Sequence, residues 1–256
     1  MSLAMARMAS ADGISTIACS PHILPGVYNN SGPAIRKAVA RLAQSIDEAG
    51  IPISLVTGAD VHIAPDLDVQ LKDGRALTLN NSRYFLLEPP HHVLPPRLDD
   101  LIFGLQTAGY VPILTHPERL SWVEGHYDLI GRLVSSSVLM QITAGSVMGR
   151  FGRRPRYWAE RMLDEGLCHL LATDAHNTEQ RAPRLADARD FVAQRLGDDE
   201  AINLVLRRPQ GILNNVSPAE LPPLPQNTAW QGGSAAEAPT LWGNIVRRAR
   251  RMAGAE

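Results

Sequence analysis

Cysteine is scarce, two in 256 residues. That excludes a disulfide framework and any zinc module built from four thiolates. Neither cysteine begins the loop of a cysteine-nucleophile phosphatase, which needs an arginine six positions later. Cys19 has Pro25 there and Cys168 has Asp174, and both read more simply as small core residues. An excess of charge of either sign is also lacking. The 25 basic and 26 acidic residues leave a net charge of −1, so no basic surface points to nucleic acid. No apolar run approaches the roughly 20 residues of a membrane-spanning helix. Residues 1–10 carry one arginine and no apolar stretch of a secretory leader, so a cytoplasmic location is expected. The phosphate-loop words GxxxxGK[ST] and GxGxxG are absent too.

What is present is an alternation of two kinds of segment. Short β-rich runs occupy residues 15–19 (STIAC), 53–57 (ISLVT), 84–87 (YFLL), 111–114 (VPIL), 138–142 (VLMQI) and 169–172 (HLLA). Helical patterns lie between them. The clearest follows Ser31, where Ile35, Val39, Leu42, Ala43 and Ile46 share one face, Pro33 falls in the first turn and Gly50 ends it. Residues 97–108, 125–135, 156–165, 185–196 and 199–207 fit further helices, and the chain opens on a helix-like segment, residues 1–13. Strands alternating with helices predict an α/β fold with a parallel sheet, either a barrel or a doubly wound sheet. Residues 1–217 form the expected domain. Residues 218–239, rich in Pro, Gly, Ala and Ser, read as a flexible linker, and 240–256 as a short basic helical tail. That tail is either a solvated end or an amphipathic helix for a membrane surface or partner.

The chemistry follows the strands. After five of them come Ser20-Pro21-His22, Gly58-Ala59-Asp60-Val61-His62, Glu88-Pro89-Pro90-His91-His92, Thr115-His116-Pro117-Glu118-Arg119 and Thr173-Asp174-Ala175-His176-Asn177. A parallel sheet gathers these points on the rim at its carboxyl ends, where ligands collect. So many imidazoles and carboxylates on one rim call for a partner, and a metal is the natural one. Imidazole and carboxylate without thiolate suit Zn²⁺, Mn²⁺ or Fe, and a shared carboxylate could bridge two ions. Arg119 and Arg181 are candidates to hold a phosphate; a salt bridge to Glu118 or Glu124 is the plainer reading of Arg119. The glycine-rich stretch 143–154 joins the same rim. Its Arg150, Arg153 and Arg154 suit either an anion site or an exposed basic loop.

Together SPH, HPER, QITAGS, GRFGRR and TDAHN, in this order and spacing, resemble the bacterial polymerase-and-histidinol-phosphatase (PHP) family, in its CpsB/YwqE-type branch of manganese-dependent protein-tyrosine phosphatases. The likeness runs from about residue 3 to residue 215. It implies a distorted seven-stranded β/α barrel, a (β/α)7 relative of the TIM barrel, with up to three metal ions, Mn first and Fe or Zn as alternatives. It also implies hydrolysis of phosphotyrosine on the tail of a bacterial tyrosine kinase that governs capsule or exopolysaccharide synthesis. A metal-activated hydroxide would attack, with no covalent enzyme intermediate. His22, Asp60, Glu88, His116, Asp174 and His176 match the family's ligand positions, with Asp60 standing where the family usually has Glu. Arg119 matches the phosphate-binding arginine, so Arg119, His116 and Asp174 are the expected catalytic residues, and Arg181 joins Arg119 in substrate binding. His62, His91 and His92 have no match in that ligand set, although His62 and one of the paired histidines could line the rim.

The family opens on a strand bearing Asp-x-His-x-His, a word this sequence does not contain. The resemblance therefore predicts a domain shortened at its amino end, six strands instead of seven, and fewer ions. Two other functions fit the same residues: a catalytically inactive phosphate-binding regulator, and a phosphatase of a small metabolite. Oligomeric state is left open, a homo-oligomer included.

Overall fold

Each apolar run becomes a parallel strand within about a residue of its expected ends. The computed structural model describes residues 1–225; the basic tail and most of the expected linker lie outside the described residues. In chain order the elements are α1 (Ser2–Ala11), β1 (Thr16–Cys19), β2 (His22–Ile23), α2 (Gly32–Glu48), β3 (Ser54–Thr57), β4 (Asp60–His62), α3 (Leu67–Asp73) and β5 (Tyr84–Glu88). There follow α4 (Leu98–Thr107), β6 (Val111–Thr115), α5 (Tyr127–Ser135), β7 (Leu139–Thr143), α6 (Ala144–Val147), α7 (Arg153–Asp164) and β8 (Leu170–Ala172). The last helices are α8 (Ala186–Leu196), α9 (Asp198–Ile202) and α10 (Arg208–Leu213), the latter two joined by a π-helical turn at Asn203–Arg207. Helices α3, α6 and α10 were not expected from periodicity. Runs of four to seven residues are too short to show it.

Two of the expected strands are interrupted. Ser20-Pro21 separates β1 from β2 and Gly58-Ala59 separates β3 from β4, so β1 and β3 form a two-stranded sheet and β2 and β4 enter a larger one. Pro21 brings no N–H to a ladder. Gly58 sits where a Cβ would come within 2.7 Å of Leu79, so a larger residue would push that segment away. The larger sheet has the order β2-β4-β5-β6-β7-β8, all parallel. Neighbours in space are thus neighbours in sequence, without the reversal of a doubly wound sheet.

Strands β5 and β7 are buried along their whole length, as expected of parallel strands covered on both faces. Alternate residues divide between two cores. Phe85, Leu87, Leu114, Met140 and Leu171 pack with the helices, whereas Tyr84, Leu86, Ile113, Leu139 and Leu170 pack on the other face with Ile212 of α10. A period of two then carries the second face outward to Glu88 after Leu86, Thr115 after Ile113, and Gln141 and Thr143 after Leu139. The polar rim is the continuation of that second core.

The ends of the domain are tied in. Helix α1 packs Ala6 and Ala9 against Ile46 of α2 and Ile53. Asp12, just past α1, accepts hydrogen bonds from the Leu185 and Ala186 N–H groups at 2.5 and 2.9 Å, supplying from a distance the cap that α8 lacks. Residues 218–223, expected to begin the linker, lie against the domain. Pro218–Glu220 form a 3-10 turn, Leu221 packs on the second core, and the Pro222 and Pro223 carbonyls accept from the Arg208 guanidinium at 2.8 and 2.6 Å. Arg208 is fully buried and also forms a two-pronged pair with Glu200 at 2.7 and 2.9 Å. Composition suggested a linker because a run of prolines forms no periodic face. It gave no hint that the carbonyls of those prolines satisfy a buried arginine.

Candidate metal centre

Register builds the site. His22 pairs with Asp60, Asp60 with Leu86, and His62 with Glu88 across β2, β4 and β5. Asp60 and His62, two apart on one strand, therefore share the face of Glu88. The carboxylate of Glu88 is the hub. Its Oε2 lies 2.8 Å from His22 Nδ1 and 2.7 Å from His62 Nε2. Its Oε1 lies 3.1 Å from His91 Nε2 and 3.4 Å from His116 Nε2. Two sets could each hold a metal ion, one of His22, His62 and Glu88, the other of Glu88, His91 and His116. Asp60 stands further off, 3.8 Å from His22 and 4.0 Å from His116, with Thr115 Oγ1 donating to it at 3.3 Å.

The site fits an ion. His22 Nδ1, His62 Nε2 and Glu88 Oε2 are buried and close together, yet none has a hydrogen-bond partner of acceptable geometry. Buried polar atoms this close without aligned hydrogen bonds call for a further partner, and an ion meets that need. The charges agree. Burial alone would push Glu88 up, but the surrounding imidazoles hold it well below the usual carboxylate range. Glu88 in turn raises His22, and it raises His116 against the opposing effect of burial. Burial, with the Glu88 charge second, raises Asp60.

The other expected residues form a neighbouring group. Asp174 Oδ2 receives Arg119 Nη1 at 2.6 Å and is also paired with Arg181 Nη2. His176 lies 3.7 Å from Asp174, and its ring centroid is 6.2 Å from that of His22. Thus the structure brings His22, Glu88 and His116 together and sets Asp60 beside them, whereas Asp174 and His176 sit with the arginines. His116 and Asp174 both adopt left-handed backbone, with φ of 37° and 48°. Such positions cluster at functional sites because the surrounding structure must hold them.

Arg119 does not pair with Glu118 or Glu124, the plainer reading of the sequence. Glu118 is fully buried and accepts from the Thr143 N–H at 3.1 Å and Ser146 Oγ at 2.7 Å, pinning the Pro117–Arg119 turn to the start of α6. Glu124 faces Arg154, which also donates to the Leu120 and Ser121 carbonyls, and Arg150 faces Asp187. Arg150 and Arg154 thus each face an acidic partner, Asp187 of α8 and Glu124. The residue of that stretch that reaches the site is Phe151, with the Arg119 guanidinium 4.7 Å and the Arg181 guanidinium 5.9 Å from its ring centre. A Cβ on Gly145 would approach that ring to 2.8 Å, so glycine gives the ring its seat.

Sequence reasoning underweighted His62 and His91 and did not single out Phe151. The signal for His62 was its two-residue spacing from Asp60 on a strand. His91 carries no such signal, because it lies on a loop, its carbonyl held by the Ser121 N–H and Oγ at 2.8 and 3.0 Å. His92 is exposed and belongs to neither metal set. Burial raises both cysteine thiols, which suits core residues and no nucleophile. Among the described residues no helix is long and apolar enough to cross a membrane.

Known proteins resemble this chain in sequence and fold. The family described as "Capsular polysaccharide synthesis, CpsB/CapC" matches residues 1–214. Tyrosine-protein phosphatase YwqE of Bacillus subtilis (strain 168) is 31% identical over 224 residues, covering 88% of each chain. Tyrosine-protein phosphatase CpsB of Streptococcus pneumoniae is 24% identical over 206 residues, 78% of this chain and 85% of that one. A solved structure, from work on YwqE and CpsB as metal-dependent tyrosine phosphatases, superposes with a TM-score of 0.82 at 30% identity, over 88% of this chain and 90% of that chain. With its parallel α/β fold and its rim of histidines and carboxylates, this chain belongs to the CpsB/CapC family.

Proposed function

We propose that this chain is a metal-dependent phosphatase of protein phosphotyrosine. The observation that carries the reading is the convergence of two guanidiniums, Arg119 and Arg181, on a single anionic oxygen next to the Glu88 cluster. Two planar forks aimed at one oxygen suit a phosphate dianion, which accepts both at once. A phosphoryl group entering there displaces Asp174 from the arginines and frees that carboxylate to serve the cluster as a ligand. Phe151 keeps the Arg119 plane in place while the partner changes. His22, Asp60, Glu88, His116, Asp174 and His176 are the protein groups we assign to the ions, Mn²⁺ first, with Fe or Zn as alternatives. A divalent ion held there supplies Lewis acidity and lowers the pKa of water.

The sequence resemblance supports a wider setting. The strands would form a distorted β/α barrel of the PHP type over residues 1–217, in the cytoplasm, and the substrate would be the phosphotyrosine tail of a bacterial tyrosine kinase controlling capsule synthesis. Purified chain supplied with Mn²⁺ should hydrolyse a phosphotyrosine peptide in preference to sugar or amino-alcohol phosphates. Arg119→Ala should lower kcat/KM at least about 100-fold while metal content stays unchanged. Peptide binding without turnover would replace this reading with a regulatory module, and a preference for the small phosphates would replace it with metabolite hydrolysis.

A further inference from the structure

The ligand set implied by the resemblance leaves out two of the four histidines that face Glu88. We propose that His62 and His91 are metal ligands in this chain, and that Glu88 bridges two ions, one on each carboxylate oxygen. The inference rests on reading the rim as a metal centre, and it is independent of the substrate.

Geometry divides the cluster into two matched halves. Oε2 faces His22 and His62 at 2.8 and 2.7 Å, and Oε1 faces His91 and His116 at 3.1 and 3.4 Å. Ligand atoms bound to one ion at about 2.0–2.2 Å lie about 3–3.6 Å apart, and the three candidate atoms of each half lie within 4.8 Å of one another. Each half offers two imidazoles and one carboxylate oxygen. Three protein ligands are the complement of an open catalytic site, which keeps a position for water or substrate. On the Oε2 side the two nitrogens and the oxygen are buried without hydrogen-bond geometry.

The sequence explains why the hub is Glu88. Asp60 stands where relatives are expected to have a longer carboxylate, and it remains 3.8 and 4.0 Å from the nearest imidazole nitrogens. Two residues along the same strand face, His62 reaches Oε2 instead. On the other side the loop after β5 folds back so that His91 reaches Oε1, its backbone tied to Ser121. The centre is thereby richer in nitrogen than one built on Asp60, Glu88 and His116.

The test reads metal directly. Full-length chain stripped with chelator and reloaded with Zn²⁺, or separately Mn²⁺, should bind at least two ions after desalting. His62→Asn and His91→Asn should each lose about one ion per chain, whereas His92→Asn should lose none. A parallel measurement uses the native chain, so that it does not depend on the variants folding. On adding Zn²⁺, the ring ¹⁵N resonances of His62 and His91 should shift with those of His22 and His116, while those of His92 and His126 stay put. Full metal content in both variants, or unmoved His62 and His91 resonances on loading, overturns the proposal. A chain that passes these tests yet leaves phosphotyrosine intact would refute the proposed reaction and leave the ligand assignment standing.

Discussion

Phe151 shows how much of this site depends on a side chain with no ionisable group. Its ring lies beside both guanidiniums and seats against Gly145. A cation over an aromatic face contributes about 0.5–2 kcal/mol, more as water is excluded. Phe151→Leu should therefore reduce kcat/KM for phosphotyrosine peptide by about 2- to 30-fold, and Phe151→Tyr should restore most of it. Gly145→Ala should resemble the leucine variant, because its methyl group displaces the ring. Steady-state kinetics on the three variants checks this; wild-type kcat/KM in Phe151→Leu would refute a positioning role. Residue by residue, the side-chain types of the candidate centre were legible in the strand-end words, but their pairing was not. Which imidazole meets which oxygen of Glu88 depends on register across β2, β4 and β5 and on the path of a loop, and local pattern fixes neither.

At the scale of elements the sequence was more informative. Apolar runs bounded by Gly, Pro and Ser located six strands because burial on both faces demands such runs. The interruptions in the first two were hidden, since a proline or glycine in a run also reads as its end. One side-chain tie between strands carries a pH dependence. His169, at the entry to β8, accepts the Met140 N–H of β7 at 3.0 Å. Burial, with the Arg208 charge second, lowers its pKa from 6.5 to about 3. The ring is thus neutral in the folded chain while the unfolded chain binds a proton below 6.5. Its contribution is complete above pH 6.5 and is lost as pH falls toward 3. His169→Asn keeps an acceptor for Met140 and removes the titration. Denaturant unfolding of this variant between pH 6.5 and 3 should show a slope with pH shallower than wild type by as much as about 1.4 kcal/mol per pH unit.

For the whole molecule, Arg208 ties the end of the described chain to its centre. It links α10 to Glu200 in α9 and to the proline carbonyls beyond residue 221. Arg208→Ala leaves the Glu200 carboxylate buried without its partner, a loss of about 3–5 kcal/mol. Residues 218–225 should become susceptible to protease in this variant, and chemical unfolding gives the energy. The left-handed backbone of His116 and Asp174 has a further consequence. An L-residue held there costs about 1–2 kcal/mol more than in the right-handed region, a penalty glycine does not incur. Asp174→Gly should therefore melt higher than Asp174→Ala, although both lose the same carboxylate from the arginines. Glycine removes the side chain's chemistry at these two positions without that backbone penalty. A variant carrying glycine at residue 116 or 174 therefore has to be screened for function, because it can keep the fold while losing the chemistry.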